Sequence, residues 1–386
     1  MDTVPYSRQE IDQSDVDAVR EALTSDFLTQ GPAVPLFEQA IASLHDAGHA
    51  VAVSNATAAL HIACMALGVG EGDVVWTSPI SFVASANCAL YCGASVDFVD
   101  IDPATRNMSV EALAKKLDQA GAEGRLPKVV IPVDFGGLPC DLDEIRALAD
   151  RYGFSIVEDA SHAVGATYKG RSVGSGAADI TVFSFHPVKI ITTGEGGVCL
   201  TNDEGLAAKL RLLRSHGVTR DPDLMTGESQ GAWYYEQIDL GYNYRLTDLQ
   251  AALGSSQLKR LDVLRAAREA HVERYDRLLA DLPLALPAHL PDRESAHHLY
   301  VVEVGEGEGD RLRAHVFAAL RDQGILVNVH YIPIHLQPFY KARGFREGQF
   351  PISERFYRRA LTLPLFPSMT EAEQDRVVSA LRDLLS

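Results

Sequence analysis

The feature that most constrains this chain is an alternation between two hydrophobic periods. Short apolar runs bounded by turn residues predict strands at 50–53, 73–77, 95–99, 128–133, 154–159 and 179–185. Between them, segments with a helical apolar period predict helices at 57–67, 82–92, 109–120 and 141–152, with two more at 9–23 and 35–44 ahead of the first strand. Strands that return through helices of this length build a largely parallel sheet covered by helices, so the expected fold class is α/β.

The pattern changes near residue 246. A long helical stretch runs through Leu249, Leu253, Leu258, Leu261 and Leu264 to Leu279, followed by a Pro-rich connection at 282–291. A strand at 299–304, a helix at 311–323, a second strand at 325–330 and a closing helix at 371–385 predict a smaller α+β unit. With 386 residues the chain is long enough for two domains, expected at 1–250 and 251–386.

A content of 46% hydrophobic and 23% charged residues supports a sizeable core. The net charge of −17 argues against nucleic acid or an anionic membrane as partner. It leaves room for an anionic small molecule, because a nest of backbone N–H groups acts locally. The five cysteines are scattered and odd in number, and neither a disulfide framework nor a zinc site is expected. No basic region followed by an apolar run opens the chain, and no apolar stretch is long enough to span a bilayer. A cytoplasmic protein without a membrane anchor is expected.

Three segments carry chemistry. Lys189 follows an apolar strand and precedes a turn rich in Thr and Gly, where partial desolvation would lower its pKa and make the amine nucleophilic. The alternative is a surface lysine beside a loop. Asp159 ends the strand at 154–159, and a buried carboxylate there needs a cationic partner such as a protonated pyridine nitrogen, unless it is an ordinary turn residue. The third segment, Ser54-Asn55-Ala56-Thr57, leads from a strand into a helix, whose N-terminus would bind phosphate or simply be capped. Phosphate site, buried carboxylate and reactive lysine, in that order, are what pyridoxal phosphate requires.

In sequence order, Phe27 to Pro32, Ser54 to Leu60, Glu71-Gly72-Asp73, Ser81 to Ala84, Asp100 to Asp102, Glu158-Asp159-Ala160, Ser184-Phe185 with Lys189, Glu195-Gly196-Gly197 and Leu240 to Thr247 form a set. Taken together, these motifs resemble those of the DegT/DnrJ/EryC1/StrS sugar aminotransferases, over nearly the whole chain. The resemblance implies a fold-type I, pyridoxal-phosphate-dependent transferase with a large mixed-sheet α/β/α domain and a smaller C-terminal α+β domain. Pyridoxal 5′-phosphate would be the cofactor, with pyridoxamine 5′-phosphate as its aminated form.

By the same resemblance, Lys189 holds the cofactor and moves the proton, and Asp159 pairs with the ring nitrogen. Phe82 stacks on the ring, while Ala56, Thr57 and Ser184 bind the phosphate. Asn243 reaches the phosphate of the neighbouring subunit, which implies a homodimer with shared active sites. His162 stands where the family commonly has Gln, and is expected near the ring hydroxyl.

The stretches 186–193, 234–245 and 329–338 look most like the branch that aminates C4 of a UDP-4-keto-6-deoxy-N-acetylhexosamine, with glutamate as donor, in pseudaminic acid synthesis. Another nucleotide-linked 3- or 4-keto sugar is an alternative, as is a catalytically idle cofactor-binding regulator. Lys189 argues against the related dehydratases, which carry His there. No G-x-G-x-x-G follows the first strand, which argues against a nicotinamide dehydrogenase. His330 and His335 lack a third ligand and are expected to touch substrate or serve structure; no metal is expected.

Overall fold

The computed structural model describes residues 3–305 and 309–385. Seven strands form the main sheet: β1 (His49–Val53), β2 (Val74–Thr77), β3 (Ser95–Phe98), β4 (Val129–Ile131), β5 (Ser155–Asp159), β6 (Ile180–Ser184) and β7 (Gly197–Thr201). Their order is β1-β7-β6-β5-β4-β2-β3. Pairs from β3 to β6 are parallel, whereas β7 runs against both β6 and β1. The carboxyl ends of the parallel strands and the amino end of β7 therefore share one edge, where open α/β sheets bind ligands.

Seven helices precede, connect or follow the strands of the sheet: α1 (Gln13–Leu23), α2 (Ala33–Leu44), α3 (Ala56–Ala66), α4 (Ala84–Tyr91), α5 (Val110–Ala122), α6 (Leu142–Tyr152) and α7 (Glu204–Arg214). Alternate residues of one strand feed opposite cores. Val51 and Val53 of β1 pack with Leu60 and Ile62 of α3, while Ala50 and Ala52 join Phe37 and Ile41 of α2. Both faces being covered, the strands read as nearly continuous apolar runs, which is why they were visible in the sequence.

The second unit follows α8 (Asp248–Leu258) and α9 (Leu261–Leu279). Strands β8 (Leu284–Ala285), β9 (Tyr300–Val304) and β10 (Ala360–Leu363) form an antiparallel sheet in that order. Around it lie α10 (Gly309–Asp322), α11 (Pro351–Arg359) and α12 (Glu371–Leu385). Tyr275, Tyr300, Val302, Leu361 and Val377 belong to its own core. Residue 250, the expected division, lies within α8, which packs on α1 and α2.

Several expectations are corrected. The first helix begins at Gln13 rather than residue 9, because Asp12 caps it by accepting from the N–H groups of Ser14 and Asp15. The long helix expected from 246 to 279 is two helices. Arg260 leaves the helical conformation (φ −109°, ψ 5°), and at this junction buried Asp15 accepts from Gln257 and Arg260 on one carboxylate oxygen at 2.6 and 2.7 Å. The segment 325–330 is not a strand. It makes isolated bridges, Val4 with Ile325 and Asn328 with Thr362, and the sheet position goes to β10 instead. The expected Pro-rich connection contains β8.

Candidate active site

At the shared edge a cleft of about 820 Å³ opens between the ends of β5 and β6, the start of α3 and the segment around His330. Lys189 lines it, carried by the loop between β6 and β7. That loop is pinned at both ends: Phe185 N–H donates to Gly196 O at 2.9 Å, and Thr193 N–H donates to Phe185 O at 3.0 Å. Burial brings the Lys189 amine down to about 8, with the Asp159 carboxylate opposing the shift. About a tenth of the amine is therefore neutral at pH 7, far more than for an ordinary lysine.

Asp159, 5% exposed, ends β5 in the same cleft. Its carboxylate accepts Ser85 Oγ at 2.6 Å, Ser161 Oγ at 2.6 Å and Ser161 N–H at 3.2 Å. Ser85 is in turn 2.6 Å from Ser81 Oγ. Because the single Ser85 hydrogen goes to the carboxylate, Ser81 donates to Ser85. All these donors are neutral, so they orient the negative charge without cancelling it.

Behind Asp159 lie two further buried acids. Glu158 accepts Thr181 Oγ1 at 2.7 Å, and Asp134 accepts the Cys140 N–H at 2.9 Å. Burial pushes Glu158 up to about 7 and Asp134 well above the usual carboxylate range.

Asn55 caps α3 by accepting the Ala58 N–H at 2.8 Å, which leaves the N–H groups of Ala56 and Thr57 facing the cleft. Gly197, at the start of β7, lets that turn sit close: an added Cβ would meet Ala56 N at 2.7 Å. Ser184, at the end of β6, lines the same cleft, as does Phe82, a residue 59% exposed.

Of the residues named from sequence, Ala56, Thr57, Phe82, Asp159, His162, Ser184 and Lys189 thus come together. Asn243 does not. It is exposed, pairs through its backbone with Ser215, and is not among the residues that line the cleft. His330 Nδ1 lies 2.8 Å from Thr362 Oγ1, and His335 pairs with Glu354 at 2.9 Å.

Sequence reasoning missed Ser85, Ser161, His298 and Tyr331. Ser85 had a signal, since it follows Ser81 by one helical turn, next to the singled-out Ser81 to Ala84 and inside the helix expected at 82–92. Tyr331 lay inside the 329–338 stretch already singled out, but nothing there marked it apart from its neighbours.

The residues present fit pyridoxal phosphate. A buried carboxylate with only neutral donors awaits a cation, a helix N-terminus offers free N–H groups for phosphate, and a lysine of lowered pKa lies in the same cleft.

Residues 9–382 match the profile of the DegT/DnrJ/EryC1/StrS aminotransferase family. The chain is 42% identical over 385 residues to the spore coat polysaccharide biosynthesis protein SpsC of Bacillus subtilis, covering 99% of this chain and 97% of that protein. Among solved structures it is similar to Helicobacter pylori PseC, an aminotransferase involved in the biosynthesis of pseudoaminic acid. The TM-score is 0.91 and the identity 31%, with 99% of both chains covered. A Streptococcus pneumoniae chain assigned as a sugar aminotransferase has been solved in a PLP-form, with a TM-score of 0.88, 30% identity and 100% of both chains covered. Its PMP-form gives a TM-score of 0.90 at 30% identity, covering 99% of this chain and 98% of that one.

Proposed function

The chain belongs to the DegT/DnrJ/EryC1/StrS aminotransferase family, and on that premise we propose that it moves an amino group from glutamate to C4 of a UDP-4-keto-6-deoxy-N-acetylhexosamine. The product would be a 4-amino sugar for pseudaminic acid-type glycans. The protein is a pyridoxal-phosphate-dependent sugar aminotransferase; the donor, the nucleotide and the position aminated are the proposed part. The observation that carries the reading is the meeting of the Lys189 amine and the Asp159 carboxylate in one cleft. The likeness to PseC supports the sugar class.

Bound pyridoxal phosphate supplies an electron sink for charge that develops on the carbon bearing the amino group. The rest falls to this chain's residues. Lys189 would hold the cofactor through its amine and, when that amine is free, would carry a proton to and from the reacting carbon. Asp159, fixed by Ser85 and Ser161, keeps a proton on the ring nitrogen. The N–H groups of Ala56 and Thr57, with Ser184, hold the phosphate, and Phe82 covers one ring face. Asn243 extends to the phosphate site of a second copy, giving a homodimer that works in the cytoplasm.

A second reading, amination of another nucleotide-linked 3- or 4-keto sugar, is favoured by the 42% identity to SpsC. The test is to incubate the purified protein with glutamate and a panel of keto nucleotide sugars, identifying products by NMR. Equimolar 2-oxoglutarate and a 4-amino product from the UDP-4-keto-6-deoxy-N-acetylhexosamine is expected. Amination only of another member of the panel would replace the first reading with the second.

A further inference from the structure

His162 is 6% exposed, and both its ring nitrogens are engaged. The backbone N–H of Gly136 donates to Nδ1 at 3.2 Å, made possible by a turn in which Gly136 has φ 67°. A nitrogen that accepts carries no hydrogen, so a neutral ring holds its hydrogen on Nε2. Nε2 lies 3.3 Å from Tyr331 Oη. Burial holds the His162 ring well below its usual pKa, and burial also raises the Tyr331 phenol, so both groups are neutral.

A phenol oxygen that accepts from His162 must aim its own hydrogen elsewhere. Tyr331 lines the cleft, close enough to Asp159 to feel its charge. We propose that Gly136 and His162 form a fixed relay that turns the Tyr331 hydroxyl hydrogen into the cleft, making Tyr331 a permanent donor to an oxygen of the bound ligands. His162 is then a positioning residue, and Tyr331 makes the contact. Two oxygens fit this chemistry: the ring oxygen of the cofactor and a carbonyl or hydroxyl oxygen of the sugar. The inference rests on the cleft being the site of both.

The relay and its target are tested separately. In the full chain labelled with ¹⁵N-histidine, the His162 ring is expected as the Nε2–H tautomer, unchanged between about pH 6 and 8. An Nδ1–H tautomer or a charged ring would overturn the relay. The target is read in Tyr331→Phe by two arms. If the acceptor is the ring oxygen, losing the donor destabilises its anionic form and moves the absorbance titration of bound pyridoxal phosphate to higher pH. If the acceptor belongs to the sugar, calorimetric affinity for the nucleotide sugar falls about three- to ten-fold, as for one lost hydrogen bond.

His162→Leu should move the same arm in the same direction but less, since a freed hydroxyl still samples the donating rotamer. The double variant should match Tyr331→Phe. Both arms unchanged in Tyr331→Phe would overturn the contact. A wild-type protein that fails to bind pyridoxal phosphate would strike the functional reading instead, while the tautomer still decides the relay.

Discussion

Ser85 Oγ donates to Asp159 Oδ2 across 2.6 Å, tying the first turn of α4 to the end of β5. The carboxylate is thereby aimed by a neutral donor that leaves its charge free for a cation in the cleft.

Asp159→Asn should fold normally and lose about 10²–10³ in kcat, the scale of one preorganised electrostatic group. Ser85→Ala should lose less, about ten-fold, because the charge remains and only its aim is relaxed. Wild-type turnover in Asp159→Asn, measured by 2-oxoglutarate release, would reduce Asp159 to a structural residue.

Capture of the cofactor should report the lowered pKa of Lys189. Only the neutral amine attacks the aldehyde, and with the amine at about 8 the rate should rise about ten-fold between pH 7 and 9, then level off. Stopped-flow absorbance on cofactor-stripped protein reads this directly. A rate still climbing above pH 10 would mean an ordinary, solvated lysine.

Glu158 should make stability fall with rising pH. Its folded pKa lies above its unfolded value, so the unfolded state releases the proton first as pH rises. The stability is full below the usual carboxylate range and is lost as pH climbs to about 7. Urea melts of Glu158→Gln should show this slope reduced, by on the order of 2 kcal/mol between pH 5 and 8. Parallel curves for variant and wild type would refute the buried proton.

Asn243 supplies a test of subunit sharing. The Lys189→Ala and Asn243→Asp variants should each be inactive if the proposed homodimer holds, the second because a carboxylate about 4 Å from a phosphate costs a few kcal/mol at intermediate dielectric. If Asn243 acts across the interface, a heterodimer has one site with both lesions and one with neither, so unfolding, mixing and refolding restores activity. A dead mixture, with heterodimers confirmed by mass, would leave Asn243 without that role.

How much of this was legible in the sequence follows from the range of the forces involved. Most strands of the main sheet are buried on both faces and rich in apolar residues, so short apolar runs marked them. The break between α8 and α9 is bonded by Asp15, more than 240 residues away, and no local pattern announces it. Strand β10 was hidden for the same reason, since Ala360–Leu363 is defined by pairing with β9 rather than by flanking turns. At the site, Asp159 and the start of α3 stood out because their chemistry is tied to strand ends, and Lys189 because it follows an apolar strand into a Thr- and Gly-rich turn. Ser85 and Tyr331 matter through hydrogen bonds to Asp159 and His162 that exist only once distant segments meet.

The central claim, that Lys189 bears the cofactor, is tested most directly by reduction and peptide mapping. The protein loaded with pyridoxal phosphate is treated with borohydride, digested, and its modified peptide identified by mass spectrometry. The label is expected on Lys189, at one per chain, and absent from Lys189→Ala. A stoichiometric label on any other lysine, with Lys189 unmodified, would contradict the claim.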